Sequence, residues 1–200
     1  MTTPAKSIKG TRTEALLAAS YIAESTAYTR YMYYAKQADK DGYPPIAVIF
    51  ESTANNEMHH SKVFFKFLEG GQVSNSVTID AGVIGTTAEN LNTAATEELH
   101  EGVEFYTNAA KVAREEGFDK IAEVFDSIAK VELFHRDRFL ELLDQVQKGT
   151  VWKRDQPIRW QCLVCGYIYE GTEPPTVCPA CSHPSKFYMD MSMMTNALVD

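Results

Sequence analysis

Apolar residues recur at intervals of three and four along residues 1–150, the period of an α-helix and not the alternation of a strand. Four segments carry this pattern, at about 12–40, 43–69, 87–116 and 118–147. Asp41-Gly42-Tyr43-Pro44-Pro45 breaks the first from the second, Gly70-Gly71 ends the second, and Gly117 parts the third from the fourth. Helices of 27 to 30 residues would each run ~40 Å at the α-helical rise. Beyond residue 150 the periodicity stops. Lys148-Gly149-Thr150 to Trp160 reads as a linker or extended strand, and about 158–191 as a small separate module.

Two short connections make two helical hairpins. The stretch from Gln72 to Thr87 must then be a long crossover, and its Val73, Val77, Ile79, Val83 and Ile84 predict that it packs along the bundle. One long crossover between two hairpins is the topology of ferritin-like bundles.

Each helical stripe is interrupted near its middle by a carboxylate. The first carries Glu24 between Leu17 and Tyr31, the second Glu57 and His60 between Phe50 and Phe64, and the fourth Glu132 and His135 between Phe125 and Phe139. The third runs Leu91, Ala94, Ala95, Glu98, Glu101, Gly102, Phe105, Ala109, Val112. An isolated buried carboxylate is costly to desolvate. Five Glu and two His at matching depth would repel one another unless cations lie between them. One Glu from each of two helices and Glu-x-x-His from each of the other two is the donor set of di-metal carboxylate bundles. Oxygen-rich ligands completed by imidazole suit iron or manganese. Glu24 and Glu57 lie 33 positions apart and Glu98 and Glu132 34, as expected of a doubled hairpin. Glu97-Glu-Leu-His100 repeats the motif, but it falls on the polar stripe Thr93, Glu97, His100, Glu104 and is expected to face water, as is His59. Glu101 exceeds the minimum set. It is either a partly exposed spectator or a ligand in one redox state only.

All four cysteines lie in the last forty residues, as Cys162-x-x-Cys165 and Cys178-x-x-Cys181. In a reducing compartment paired C-x-x-C motifs read as a tetrahedral metal site, not disulfides. Gly166 and Pro179 suit tight turns whose backbone N–H groups point back at sulfur. Zinc and iron both fit four thiolates, and on spacing alone structural zinc is the first expectation. A segment this small needs its metal to fold. Met189 to Met194 reads as a solvated tail.

Composition narrows the function. The 200-residue, 22.4 kDa chain is 44% hydrophobic and 23% charged, enough for a core. Its net charge of −8 argues against nucleic acid. No apolar run reaches the ~18 residues of a membrane span, and the N-terminus lacks a signal-peptide core. A soluble, cytoplasmic protein is expected.

With both constellations in one chain, the sequence resembles the rubrerythrins. The likeness runs from about Lys9 to Met191 through Lys9-Gly-Thr-Arg-Thr-Glu14, Ala23-Glu24-Ser25, Phe67-Leu-Glu-Gly-Gly71, Ala113-Arg-Glu-Glu-Gly117, the C-x-x-C-G-Y knuckle and Cys178-Pro-Ala-Cys181-Ser-His-Pro184. It implies an all-α, ferritin-like four-helix bundle over 1–150 and a small β-rich, rubredoxin-like metal domain over 151–200. It reverses the zinc expectation, implying one iron held by Cys162, Cys165, Cys178 and Cys181. Glu24, Glu57, His60, Glu98, Glu101, Glu132 and His135 would be ligands of two further irons, with Glu57 and Glu132 bridging. One iron would shift between His60 and Glu101 on redox change. Tyr31 and Tyr106 match tyrosines that hydrogen-bond ligand carboxylates. The implied activity is reduction of hydrogen peroxide to water in oxidative-stress defence. Electrons would come from NAD(P)H through a reductase or rubredoxin partner and pass by the thiolate iron. The implied assembly is a homodimer with one subunit's thiolate iron facing the other's di-iron site. The alternative is a ferroxidase or iron-handling ferritin-like protein.

Overall fold

The computed structural model describes residues 6–79 and 81–194. Helix α1 (Arg12–Lys40) starts at Thr11, whose side chain accepts from the Glu14 N–H. Pro44 and Pro45 open α2 (Pro44–Phe67), where the missing N–H costs nothing. Helix α3 (Thr87–Leu99) begins with a reciprocal capping box between Thr86 and Glu89. Asp41, just past the end of α1, accepts from the backbone and hydroxyl of Thr87 at 2.9 and 2.7 Å and so pins the two hairpins together. Helix α5 (Asp119–Lys148) follows the turn at Gly117 and ends at Gly149.

The third rod is not one regular helix. Between α3 and α4 (Tyr106–Glu115) lies a π-helical turn, His100–Phe105, in which the Tyr106 N–H bonds back to the Glu101 carbonyl. The turn adds one residue to the winding and moves the stripe beyond it by one position. The residues buried there are Tyr106, Ala109, Ala110 and Ala113, where straight periodicity predicted Phe105 and Val112. Gly102 is what lets the turn lie against α5. A Cβ there would stand 2.9 Å from the Ala129 carbonyl and 3.2 Å from the Glu132 Cβ.

The bundle core is split in two. One apolar half holds Tyr31, Tyr34, Phe50, Leu91, Phe139 and Leu142. The other holds Leu17, Phe64, Tyr106, Ile121 and Phe125. Rings pack at 5.1 Å for Phe50–Phe139 and 5.2 Å for Phe64–Phe125. The inward carboxylates and imidazoles fill the layer between the halves.

The C-terminal module is a three-stranded antiparallel sheet, β1 (Ile158–Cys162), β2 (Ile168–Gly171) and β3 (Tyr188–Asp190), in the order β2-β1-β3. It sits on the end of the bundle near the α1–α2 turn. Trp152 stacks on Tyr43 with centroids 5.8 Å apart and donates to the Tyr188 carbonyl at 3.0 Å. One expectation fails here, and another, for the crossover, holds only in part, with Val73 and Val77 half-buried. Met189 to Met194 is no solvated tail: Met189 is 2% exposed in β3, and Met193 and Met194 pack against the bundle core. The pattern alone missed this because the partner surface, on α2 and α5, is distant in the chain. The crossover touches the bundle through polar links, such as Asn75 to the Ala15 carbonyl at 2.8 Å. Its Ile79, Val83 and Ile84 nevertheless stay exposed, Val83 by 80%.

Candidate metal centres

The middle layer brings six predicted donors together from α1, α2, α3 and α5. Glu24, Glu57, His60 and Glu132 form one set, and Glu57, Glu98, Glu132 and His135 a second. Within each set the ligand atoms lie within 4.8 Å of one another, and Glu57 and Glu132 belong to both. His60 Nδ1 is 2.9 Å from Glu57 Oε2 and 3.1 Å from Glu132 Oε1. His135 Nδ1 is 3.1 Å from Glu57 Oε1 and 3.0 Å from Glu132 Oε2. These approaches lack hydrogen-bond geometry. Both oxygens of Glu57 and of Glu132, Glu24 Oε2 and both Nδ1 atoms are buried without a hydrogen-bond partner. Buried polar atoms are rarely left so. Atoms that each sit ~2.1 Å from a shared cation are at most ~4.2 Å apart, and every imidazole–carboxylate approach in the layer, from 2.9 to 3.7 Å, lies inside that limit, so the two sets, which share Glu57 and Glu132, fit a pair of cations.

The charges say the same. Burial raises the Glu24 carboxyl to about 8, with the Glu57 and Glu132 charges adding to it against His60. Burial also pushes Glu98 well up. Glu57 goes the other way: despite burial, the His135 and His60 rings beside it bring it to about 2. Both imidazoles are raised by the carboxylates around them in spite of burial. Without cations the layer compensates its charge by retaining protons.

The tyrosines aim two of these carboxylates. Tyr31 donates to Glu98 Oε1 at 2.8 Å, and Tyr106 to Glu24 Oε1, which leaves Glu24 Oε2 facing inward. Glu101 stands apart. It lies in the π turn, half-buried, outside both sets, with its carboxyl raised by burial and then by the Glu24 charge. His59 is exposed. His100 is exposed too, 2.9 Å from Glu104. Glu97 departs from its expectation, since it is half-buried in an ion pair with Arg30 of α1.

Three features escaped the sequence. The π turn is one. Its trace is the four-residue spacing Ala94, Glu98, Gly102, Tyr106, Ala110, too wide for a straight helix. Arg138 is the second, a buried cation one turn beyond His135 that bonds the Thr53 hydroxyl at 2.5 Å while its Nε and Nη1 stay unpartnered. Burial lowers its pKa against the pull of Glu57 and Glu98. The third is Tyr188, buried beside the cysteines.

The four Sγ atoms also lie within 4.8 Å of one another, with Cys162–Cys181 and Cys165–Cys178 at 3.7 Å and no disulfide. Four sulfurs ~2.3 Å from a common centre would be spaced by ~3.8 Å. Backbone N–H groups of Tyr167, Ala180 and His183 point at Cys165, Cys178 and Cys181. Burial opposes ionisation of Cys178, yet the Tyr188 hydroxyl and the turn amides outweigh it and bring the thiol to about 6. Cys181 also has an amide, from His183, but burial and three sulfur neighbours drive it up to about 12. A cation relieves that crowding.

Fold and donors together define a ferritin-like carboxylate bundle carrying a rubredoxin-like module. The rubrerythrin family profile matches residues 15–143 and 89–159, and that of the rubrerythrin rubredoxin-like domain matches 160–188. The chain is 46% identical to a rubrerythrin of Porphyromonas gingivalis over 93% of both chains. It is 45% identical to one of Nitratidesulfovibrio vulgaris over 92% of this chain and 96% of the other. A solved structure of nigerythrin in a mixed-valence state superposes with a TM-score of 0.60 at 27% identity, covering 95% of this chain and 91% of that one. The chain belongs to the rubrerythrin family. Its four cysteines form a rubredoxin-like iron site, and its glutamate–histidine cluster fits the family's di-iron centre. Among the described residues no helix is long and apolar enough to cross a membrane.

Proposed function

We propose that this protein is a cytoplasmic peroxidase that reduces hydrogen peroxide to water at the di-iron site in oxidative-stress defence. Electrons come from NAD(P)H through a reductase or rubredoxin partner and reach the bundle by way of the four-thiolate iron. The observation that carries the reading is the union in one chain of a doubly shared carboxylate–imidazole cluster with a four-cysteine cage. Storage of iron needs no such cage. We divide the chain into a di-iron domain, 1–150, and an electron-transfer domain, 151–200.

Two irons held side by side supply the two electrons that an O–O bond needs. The chain's own residues set the conditions. Glu24, Glu57, His60, Glu98, Glu132 and His135 would hold the pair, Glu57 and Glu132 being common to both donor sets. Tyr31 and Tyr106 each donate to one carboxylate oxygen and so fix the orientation of Glu98 and Glu24. Glu101 is the exchangeable ligand. It stands in the π turn outside both donor sets and would exchange with His60. The apolar halves above and below keep water from the layer. The functional unit is a homodimer, supported by the exposed Ile79, Val83 and Ile84 and by Val164, Tyr167 and Ile168 around the exposed Cys165.

Protein purified without oxygen is expected to carry about three irons per chain and to consume peroxide at the expense of NADH once a reductase is added. Iron mineralisation without reductase-coupled peroxide loss would overturn the reading in favour of iron handling.

A further inference from the structure

Tyr188 opens β3 opposite Cys162. Its ring is fully buried in one cluster with Trp160, Cys162 and Cys178. Its carbonyl is used, accepting from Trp152, but its hydroxyl oxygen is buried without a hydrogen-bond partner, sulfur included. A phenylalanine would fill the same space without burying a polar atom, and a buried hydroxyl left unpaired is destabilising. The ring shares its buried cluster with the Cys162 and Cys178 sulfurs, and Cys178 is the thiol whose ionisation the hydroxyl favours. A neutral thiol is a weak acceptor, but a metal-bound thiolate is a strong one.

We propose that Tyr188 donates its hydroxyl proton to the Cys178 thiolate of the loaded cage and thereby biases the four-thiolate iron toward its reduced state. The inference rests on iron occupying that cage. Adding one electron to it takes up no proton, so the cage gains one net negative charge. A donor fixed on a sulfur stabilises the more negative state, and hydrogen bonds to sulfur are among the means by which proteins set such potentials. The turn amides at Cys165, Cys178 and Cys181 come from backbone that any residue provides. The Tyr188 hydroxyl is the side-chain donor in this set. Tyr188 touches a ligand and not the substrate, so it is a positioning residue.

The test is Tyr188→Phe in the intact chain. The one-electron equilibrium of the four-thiolate iron, followed by spectroelectrochemistry without oxygen, is expected to move about tenfold toward the oxidised form, which is 59 mV. An unchanged potential, or an equal shift in Tyr169→Phe at the surface of β2, would overturn the proposal. Cobalt loaded alone into the cage gives a reading independent of electron transfer. Its thiolate-to-metal bands are expected to move to lower energy in the variant, and bands that stay in place refute the hydrogen bond. A failed relay reading would leave the cobalt result intact. Should the variant not fold, the cadmium-loaded wild-type protein is expected to show nuclear spin coupling between the metal and the Tyr188 hydroxyl proton. Absence of that coupling is equally fatal.

Discussion

The carboxylate layer and the thiolate cage both crowd like-charged donors into a small space, but they reach across very different lengths of chain. The cysteines lie between positions 162 and 181 and are set by two local turns. The bundle donors lie between positions 24 and 135 and meet only when four rods align. The surroundings differ accordingly. The layer is held between two large apolar halves that contain none of its donors. The module's own apolar cluster is Trp160, Cys162, Cys178 and Tyr188, and two of these four are ligands. The lesson is that the bundle is a scaffold that tolerates an ion-free site, whereas the module is organised by its ion.

Removing metal is the strongest way to break that contrast. A chelator under reducing conditions is expected to unfold residues 158–190 while the helical circular-dichroism signal of the bundle is largely retained. Structural metal in small cysteine-rich modules is worth ~10–16 kcal/mol, more than such a module gains from burial. Joint loss of both signals, or survival of the tryptophan environment at Trp160, would show that the two regions do not differ in this way.

A smaller effect probes the bundle alone. Gly102→Ala places a Cβ 2.9 Å from a backbone oxygen that cannot turn aside. It is expected to cost ~1–3 kcal/mol, as overpacking does, and to displace the π turn with Glu101. Thermal melting reads the first effect. Metal-site spectra, altered where those of Cys162→Ser bundles are not, read the second. A melting point within error of wild type would mean that the turn is loosely packed.

The least effect sharpens the electrostatic side of the comparison. In the metal-free bundle the Glu24 carboxyl is raised to about 8 from its ordinary 4.5. The folded state therefore binds the proton more tightly than the unfolded chain. By linkage, stability is fullest below pH 4.5 as far as Glu24 is concerned and declines as pH rises toward 8. The raised His60 and His135 act in the same direction above their ordinary 6.5. Glu57, held at about 2, has the opposite sign and matters only in acid. Melting temperature of the metal-free protein is thus expected to fall between pH 5 and 8, and less steeply in Glu24→Gln. An equally steep slope in that variant would remove Glu24 from the account.

Much of this was legible beforehand because the helical period and the metal spacing are local signals. The Asp41-to-Pro45 break, Gly70-Gly71 and Gly117 mark ends that the chain itself dictates, and Glu-x-x-His puts both donors on one helical face whatever surrounds them. The C-x-x-C pairs likewise need no distant partner to declare themselves. The π turn was not legible in that manner. One added residue is below what a period of 3.6 resolves over a few turns, so Tyr106 and Ala113 took the inward places expected of Phe105 and Val112. Glu97 was misjudged because Arg30, on another helix, shields it.

The amino-acid order by itself determined the four rods, the inward carboxylates with their two Glu-x-x-His pairs, and the position of the thiolate module, since each follows from backbone geometry over one or two turns. Only the tertiary structure decided that Met189 to Met194 lies against the bundle, that Arg138 sits buried beside Thr53 without a carboxylate partner, and that the Tyr188 hydroxyl is enclosed with the sulfurs. Those outcomes depend on which distant surfaces meet. Burial changes the energy of a polar or apolar group only once that meeting has taken place.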